Sequence, residues 1–180
     1  MFTNWLNITA AQSSQLYFTG ETMLDVLWQT MMGGIFPSGI DADRVLFMQW
    51  YQASRTVTSL ILGLRESPRL RTLAVGAYTA YKNSTGGTRN ISNFLFGTSS
   101  VTSNKAIFRT AGTPQSFGYV GLAPRGIRQG DVVAILEGGN VPFVLRQRGP
   151  YWEVVGACYV HGVMFGQMFD PARCVDMVLV

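Results

Sequence analysis

A chain of 180 residues, 47% apolar and only 13% charged, can bury its own core, so it needs neither disulfides nor a structural metal to fold. Its two cysteines, Cys158 and Cys174, exclude a disulfide framework, and no stretch approaches the roughly 20 apolar residues of a membrane-spanning helix. The net charge is +4, but the basic residues are mostly arginines scattered along the chain (Arg65, Arg69 and Arg71; Arg125 and Arg128; Arg146 and Arg148) in no nucleic-acid motif, so they read as a solvated face.

The first half has helical spacing. Thr19 is placed to cap a helix, with Glu21 favourable in its first turn. Met23, Val26, Leu27, Thr30 and Met31 form one stripe, and Gly33-Gly34 ends it. A second helix is predicted over 41–62, with Asp41 and Asp43 favouring its dipole and Leu46, Trp50, Ala53, Val57, Leu60 and Leu64 as its stripe. A third starts at Ser67-Pro68 and carries Leu70, Leu73, Ala74, Ala77, Tyr78 and Tyr81 on one face. From Asn83 to Asn104 the composition turns to Gly, Ser, Thr and Asn, which reads as a long loop with one anchored element at Ile91 to Phe96.

Strand patterns follow. They run over 105–110, 118–122, 131–136, 141–146 and a long 152–164 interrupted at Gly156 and Gly162, with a sixth over 174–180. Short strands separated by glycine turns predict a small barrel or a curled antiparallel sheet. Val132, Ala134 and Leu136 point one way, Val133 and Ile135 the other, so both faces are expected to be covered. The expected fold class is α+β: an N-terminal helical cluster (1–84) and a linker (85–104), with a β-rich part (105–180) against which the helices pack as one compact domain.

Four blocks in the β-rich part form an ordered set. They are Phe117-Gly118-Tyr119-Val120-Gly121-Leu122-Ala123-Pro124, then the run from Gly130-Asp131-Val132-Val133 to Gly138-Gly139, then Val141-Pro142-Phe143-Val144-Leu145-Arg146, then the run from Val155-Gly156-Ala157-Cys158-Tyr159-Val160-His161-Gly162 to Gly166. In this order and spacing they resemble the C-terminal region of fungal heterokaryon-incompatibility (HET domain) proteins. Upstream, Tyr17-Phe18-Thr19-Gly20-Glu21 and Trp28-Gln29-Thr30-Met31 resemble that family's tyrosine- and tryptophan-containing helix. The match is dense over 109–167 and thinner over 17–73. The resemblance implies a fungal source and a role in non-self recognition and programmed cell death after cell fusion. This chain departs from the family twice: the N-terminal HET domain has no counterpart in it, and Gln167 stands where relatives carry an acidic residue.

The family-motif positions singled out are Gly121, Pro124, Gly130, Asp131, Pro142, Arg146, Tyr159, His161 and Gly162. Their physical reading is structural or interactive. Gly121 to Pro124 is a strand ending in a rigid turn. Gly130-Asp131 is a turn followed by an aspartate able to bond nearby backbone N–H groups. Pro142 suggests an edge or a bulge. Arg146 pairs with Asp131 or Glu137, reaches backbone carbonyls, or grips a carboxylate or phosphate.

Catalytic signatures are missing. His161 is the sole histidine, and with Cys158 and Cys174 it falls short of a zinc ligand set. Strand alternation sends Cys158 and His161 to opposite faces, which disfavours a nucleophile pair. There is no Gly-x-Ser-x-Gly elbow and no phosphate loop at Gly86-Gly87. The glycosylation patterns at Asn7, Asn83 and Asn90 read as chance matches without a signal sequence. The expectation is a cytoplasmic, non-enzymatic interaction or recognition module with no cofactor and no nucleic acid. Its partner is another protein or itself, bound through the aromatic set Phe94, Phe96, Tyr119, Phe165 and Phe169. The alternative is a small-molecule or nucleotide-binding β-barrel with a pocket near Arg146 and His161, rimmed by Asp131 and Tyr159.

Overall fold

The computed structural model describes residues 2–9, 11, 13–63, 96–112 and 118–180, with the side chains of 2–4 and 53–63 left aside. The predicted third helix from Ser67, the first part of the predicted linker and Phe94 lie outside the described residues. The chain divides into two compact units, Met1–Ile35 with Val101–Val180, and Phe36–Ser100.

The first unit opens with α1 (Phe2–Ile8), a helix with no counterpart among the predicted elements, which buries Trp5. Residues Leu16 to Thr22 then form a tight turn closed by Tyr17 N–H to Glu21 O at 2.9 Å and Gly20 N–H to Tyr17 O at 2.9 Å. Tyr17 to Glu21 is therefore not helical, against the resemblance. The helix α2 (Met23–Met31) starts later than expected because Thr22, not Thr19, is its N-cap: the Thr22 hydroxyl accepts from the Asp25 N–H at 3.1 Å. Its predicted stripe of Met23, Val26, Leu27, Thr30 and Met31 is fully buried, together with Trp28.

In the second unit, α3 (Ile40–Gly63) matches its predicted bounds within a residue. Its buried face is offset, however. Asp43, Phe47 and Tyr51 are buried, and Phe47 stacks on Tyr51 with ring centroids 5.8 Å apart. The predicted Leu46 and Trp50 are only half-buried. Residues 96–102 are helical, where a loop was expected.

Six strands follow in the first unit: β1 (Lys105–Arg109), β2 (Val120–Pro124), β3 (Val132–Ala134), β4 (Phe143–Arg148), β5 (Tyr151–Ala157) and β6 (Tyr159–Val160). They build two three-stranded antiparallel sheets, ordered β1-β2-β6 and β3-β4-β5. The fold class is α+β as expected, but the sheets do not close into a barrel. The long strand predicted over 152–164 is two strands in different sheets. It breaks at Cys158, whose N–H turns to donate to the Pro142 carbonyl at 2.9 Å. The irregularity anticipated at Gly156 is present as a register shift opposite Val144 and Leu145. The predicted sixth strand over 174–180 reduces to one parallel bridge between Trp152 and Leu179.

The two sheets share a core of Ala123, Val144, Cys158, Val160 and Val163, against which Phe108, Tyr119, Ile127, Val133, Ile135 and Val155 pack. The inward face of β3 thus agrees with its pattern. The opposite face is not fully covered, since Val132 is exposed. Among the described residues, no helix is long and apolar enough to cross a membrane.

Candidate functional site

The family-motif residues gather into two separate polar clusters rather than one pocket. The first sits at the turn between β2 and β3. The Ile127 N–H returns to the Pro124 carbonyl at 3.2 Å, so β2 does end in a turn at Pro124. Gly130 then delivers Asp131, whose carboxylate accepts from the Arg128 N–H at 2.7 Å. Arg146, central in β4, closes the cluster with a bidentate fork. Its Nε and Nη2 donate to the two Asp131 oxygens at 2.8 Å each, and Nη2 also donates to the Gly126 carbonyl at 2.8 Å. The Arg146 guanidinium holds the Asp131 carboxyl below its ordinary range, aided by the Arg128 N–H against the cost of burial. Of the partners open to Arg146 in the sequence, Asp131 and a backbone carbonyl are the ones it takes. Pro142 is not on an edge: it precedes β4, the central strand of its sheet, where its missing N–H costs no ladder bond.

The second cluster surrounds His161, which follows β6 and is buried. Its Nε2 lies 2.7 Å from Glu21 Oε2, and its Nδ1 lies 3.1 Å from the Tyr159 hydroxyl. Burial opposes ionisation of Glu21, but hydrogen bonds from Thr19, His161 and Gln29 outweigh it and hold its carboxyl below the ordinary range. An ionised Glu21 only accepts, so His161 Nε2 carries the hydrogen between them. Tyr17 fastens the backbone beneath. Its hydroxyl donates to the His161 carbonyl at 3.2 Å and accepts from the Val120 N–H at 3.0 Å. Burial pushes the Tyr17 phenol up to about 12 and raises that of Tyr159 as well, so both stay neutral donors.

Two glycines of the motif are dictated by close approach. A Cβ at Gly121 would lie 2.2 Å from the Tyr159 carbonyl oxygen, so β2 and β6 pair only without one. Gly162 has φ +76°, and a Cβ there would press on Phe18 at 2.7 Å and Thr19 at 2.9 Å.

An open groove of about 1250 Å³ runs between the sheets. Ile107, Val133, Ile135, Val144 and Val160 line it, and Asp131 lies in its wall. Of the four residues expected to rim a pocket, Asp131 alone reaches it; Arg146, Tyr159 and His161 do not. Burial pushes the Cys158 thiol up to about 12, which keeps it protonated at neutral pH. Among the described residues, no three His, Cys, Asp or Glu side chains gather to hold a metal ion. Of the expected aromatic surface, Phe165, Phe96 and Phe169 are exposed while Tyr119 is half-buried.

His161 is legible in the sequence, but its partners Glu21 and Tyr17, and Gln29 behind Glu21, are not. Tyr17 and Glu21 stood in a quoted block, yet 140 residues separate Glu21 from His161 and no local spacing links them.

The comparisons agree with the motif order. Residues 102–180 match the family model of the Het-6 beta-barrel domain. The chain is also similar to heterokaryon incompatibility protein 6, OR allele, of Neurospora crassa, with 31% identity over 67 residues. That match takes in 35% of this chain and 10% of the relative, so the chain spans a small part of the relative's length. No solved structure matches the chain. The C-terminal part of this chain, residues 102–180, thus resembles the Het-6 beta-barrel domain, as the order of its four blocks implied.

Proposed function

We propose that this chain is a non-enzymatic interaction module of the heterokaryon-incompatibility machinery, acting in the fungal cytoplasm in non-self recognition and cell-death signalling. One contrast supports this reading. The polar groups of the family motif are bonded to one another, whereas Phe165, near the end of the fourth block, is 90% exposed. Polar groups that satisfy one another hold a scaffold rigid; an exposed aromatic on such a scaffold is a binding anchor. The test is expression in a filamentous fungus, scoring fusions between strains that differ only in this chain. Growth arrest or death of fused cells, lost with Phe165→Ser, is the expected result. Normal fusions, together with an empty pull-down from the same lysate, would defeat the reading.

The second reading, a binder of small molecules, is favoured by the groove between the sheets. Its walls mix Ile107, Val133, Ile135, Val144 and Val160 with Arg109, Arg128, Gln129 and Asp131, so the ligand class it suits is an amphipathic one.

A further inference from the structure

We propose that the outer edge of β5 is a strand-docking site, and that its occupant is the segment 175–180 of a second copy of this chain. This deepens the interaction-module reading and rests on it.

β5 is the last strand of its sheet, so one of its edges has no neighbouring strand. The structure displays what fits there. Trp152 N–H donates to the Val178 carbonyl and Val180 N–H donates to the Trp152 carbonyl, both at 2.9 Å, with Trp152 and Leu179 paired in parallel. These are main-chain bonds, which form identically whether the added strand comes from the same chain or from another copy.

The segment is held loosely in its own copy. Among the described residues, those two bonds are its main-chain ties to the sheet. Val175, Val178, Leu179 and Val180 remain 43–76% exposed, and Tyr151 and Val154 on β5 are exposed beside them. A strand docked by one bridge leaves this apolar surface in water. Reciprocal exchange between two copies keeps both main-chain bonds and brings two such surfaces together about a twofold axis, where each covers the other. Asp176 is the one charged side chain in the segment, so little side-chain repulsion opposes the pairing. The chain leaves the 3-10 turn Pro171–Arg173 in an extended conformation at Cys174, which lets the segment cross to a neighbour.

The test is molar mass by light scattering over a dilution series, for the chain, for Val178→Asp and for a chain lacking 175–180. Val178 is 59% exposed in the single copy and is covered only in the exchanged pair, so Val178→Asp leaves the body folded while opposing the pairing; circular dichroism verifies the fold. The expected result is a dimer whose dissociation constant rises about tenfold or more in Val178→Asp, and a monomer when 175–180 is absent. A monomeric parent chain overturns the exchange but leaves the fusion assay free to support a different partner. A dimer equally tight in all three chains overturns this docking site while self-association stands.

Discussion

Residues 118–163 and residues 164–180 treat their side chains in opposite ways. In the first stretch the polar groups of the family motif pair: Arg146 with Asp131, His161 with Glu21 and Tyr159. In the second the large apolar groups turn outward, Phe165, Met168, Phe169, Val175 and Val178 among them. Burying polar groups is costly unless each finds a partner, and exposing apolar groups is costly unless something covers them. The first stretch meets its condition within the chain. The second does not, and that asymmetry separates the part that holds the fold from the part that offers a surface.

Three substitutions test that contrast. The largest effect is expected for Gly121→Ala. The added methyl meets backbone that cannot swing aside, so β2 and β6 must separate, at a cost of about 3 kcal/mol. Thermal unfolding should show a fall in Tm of roughly 10 °C. Glu21→Gln should cost less, about 1–2 kcal/mol, by weakening the bonds to His161 and Thr19. It also carries a pH signature. The Glu21 carboxyl lies below its ordinary value of 4.5 in the fold, so its stabilisation is complete above that pH and is lost as pH falls through the folded value. Denaturant titrations from pH 6 to pH 3 should therefore show a shallower acid loss in Glu21→Gln than in the parent. The smallest effect is expected for Phe165→Ser, within about 0.5 kcal/mol of the parent stability, because its ring is in water. Any large change in its denaturation midpoint would mean that the outward stretch also supports the fold.

How far the sequence could be read depended on the distance over which each feature is decided. The span of α3 was legible because caps and apolar spacing are local, but its buried face slipped by one position, from Leu46 and Trp50 to Phe47 and Tyr51. The start of α2 was misplaced because Thr19 and Thr22 are equally good caps by residue type; the turn that ties Tyr17 to Glu21 decides between them. The Asp131–Arg146 pair, 15 residues apart and across a hairpin, was among the alternatives the residues allowed. The partners of His161 were not, because they come from the other end of the chain. The largely apolar run from Trp152 to Met164 gives no sign that it changes sheets, since periodicity reports which residues are buried but not against which neighbour.

That change of sheet fixes the length of the chain where it occurs. β5 pairs with β4, and two residues later β6 pairs with β2, so the single step through Cys158 sets the parity of both strands at once. Inserting or deleting one residue between Ala157 and Tyr159 would turn Val160 out of the core and His161 away from Glu21. Substitutions have room along this run, but changes in its length do not, and a relative that differs in length here would have to rebuild the core of both sheets together.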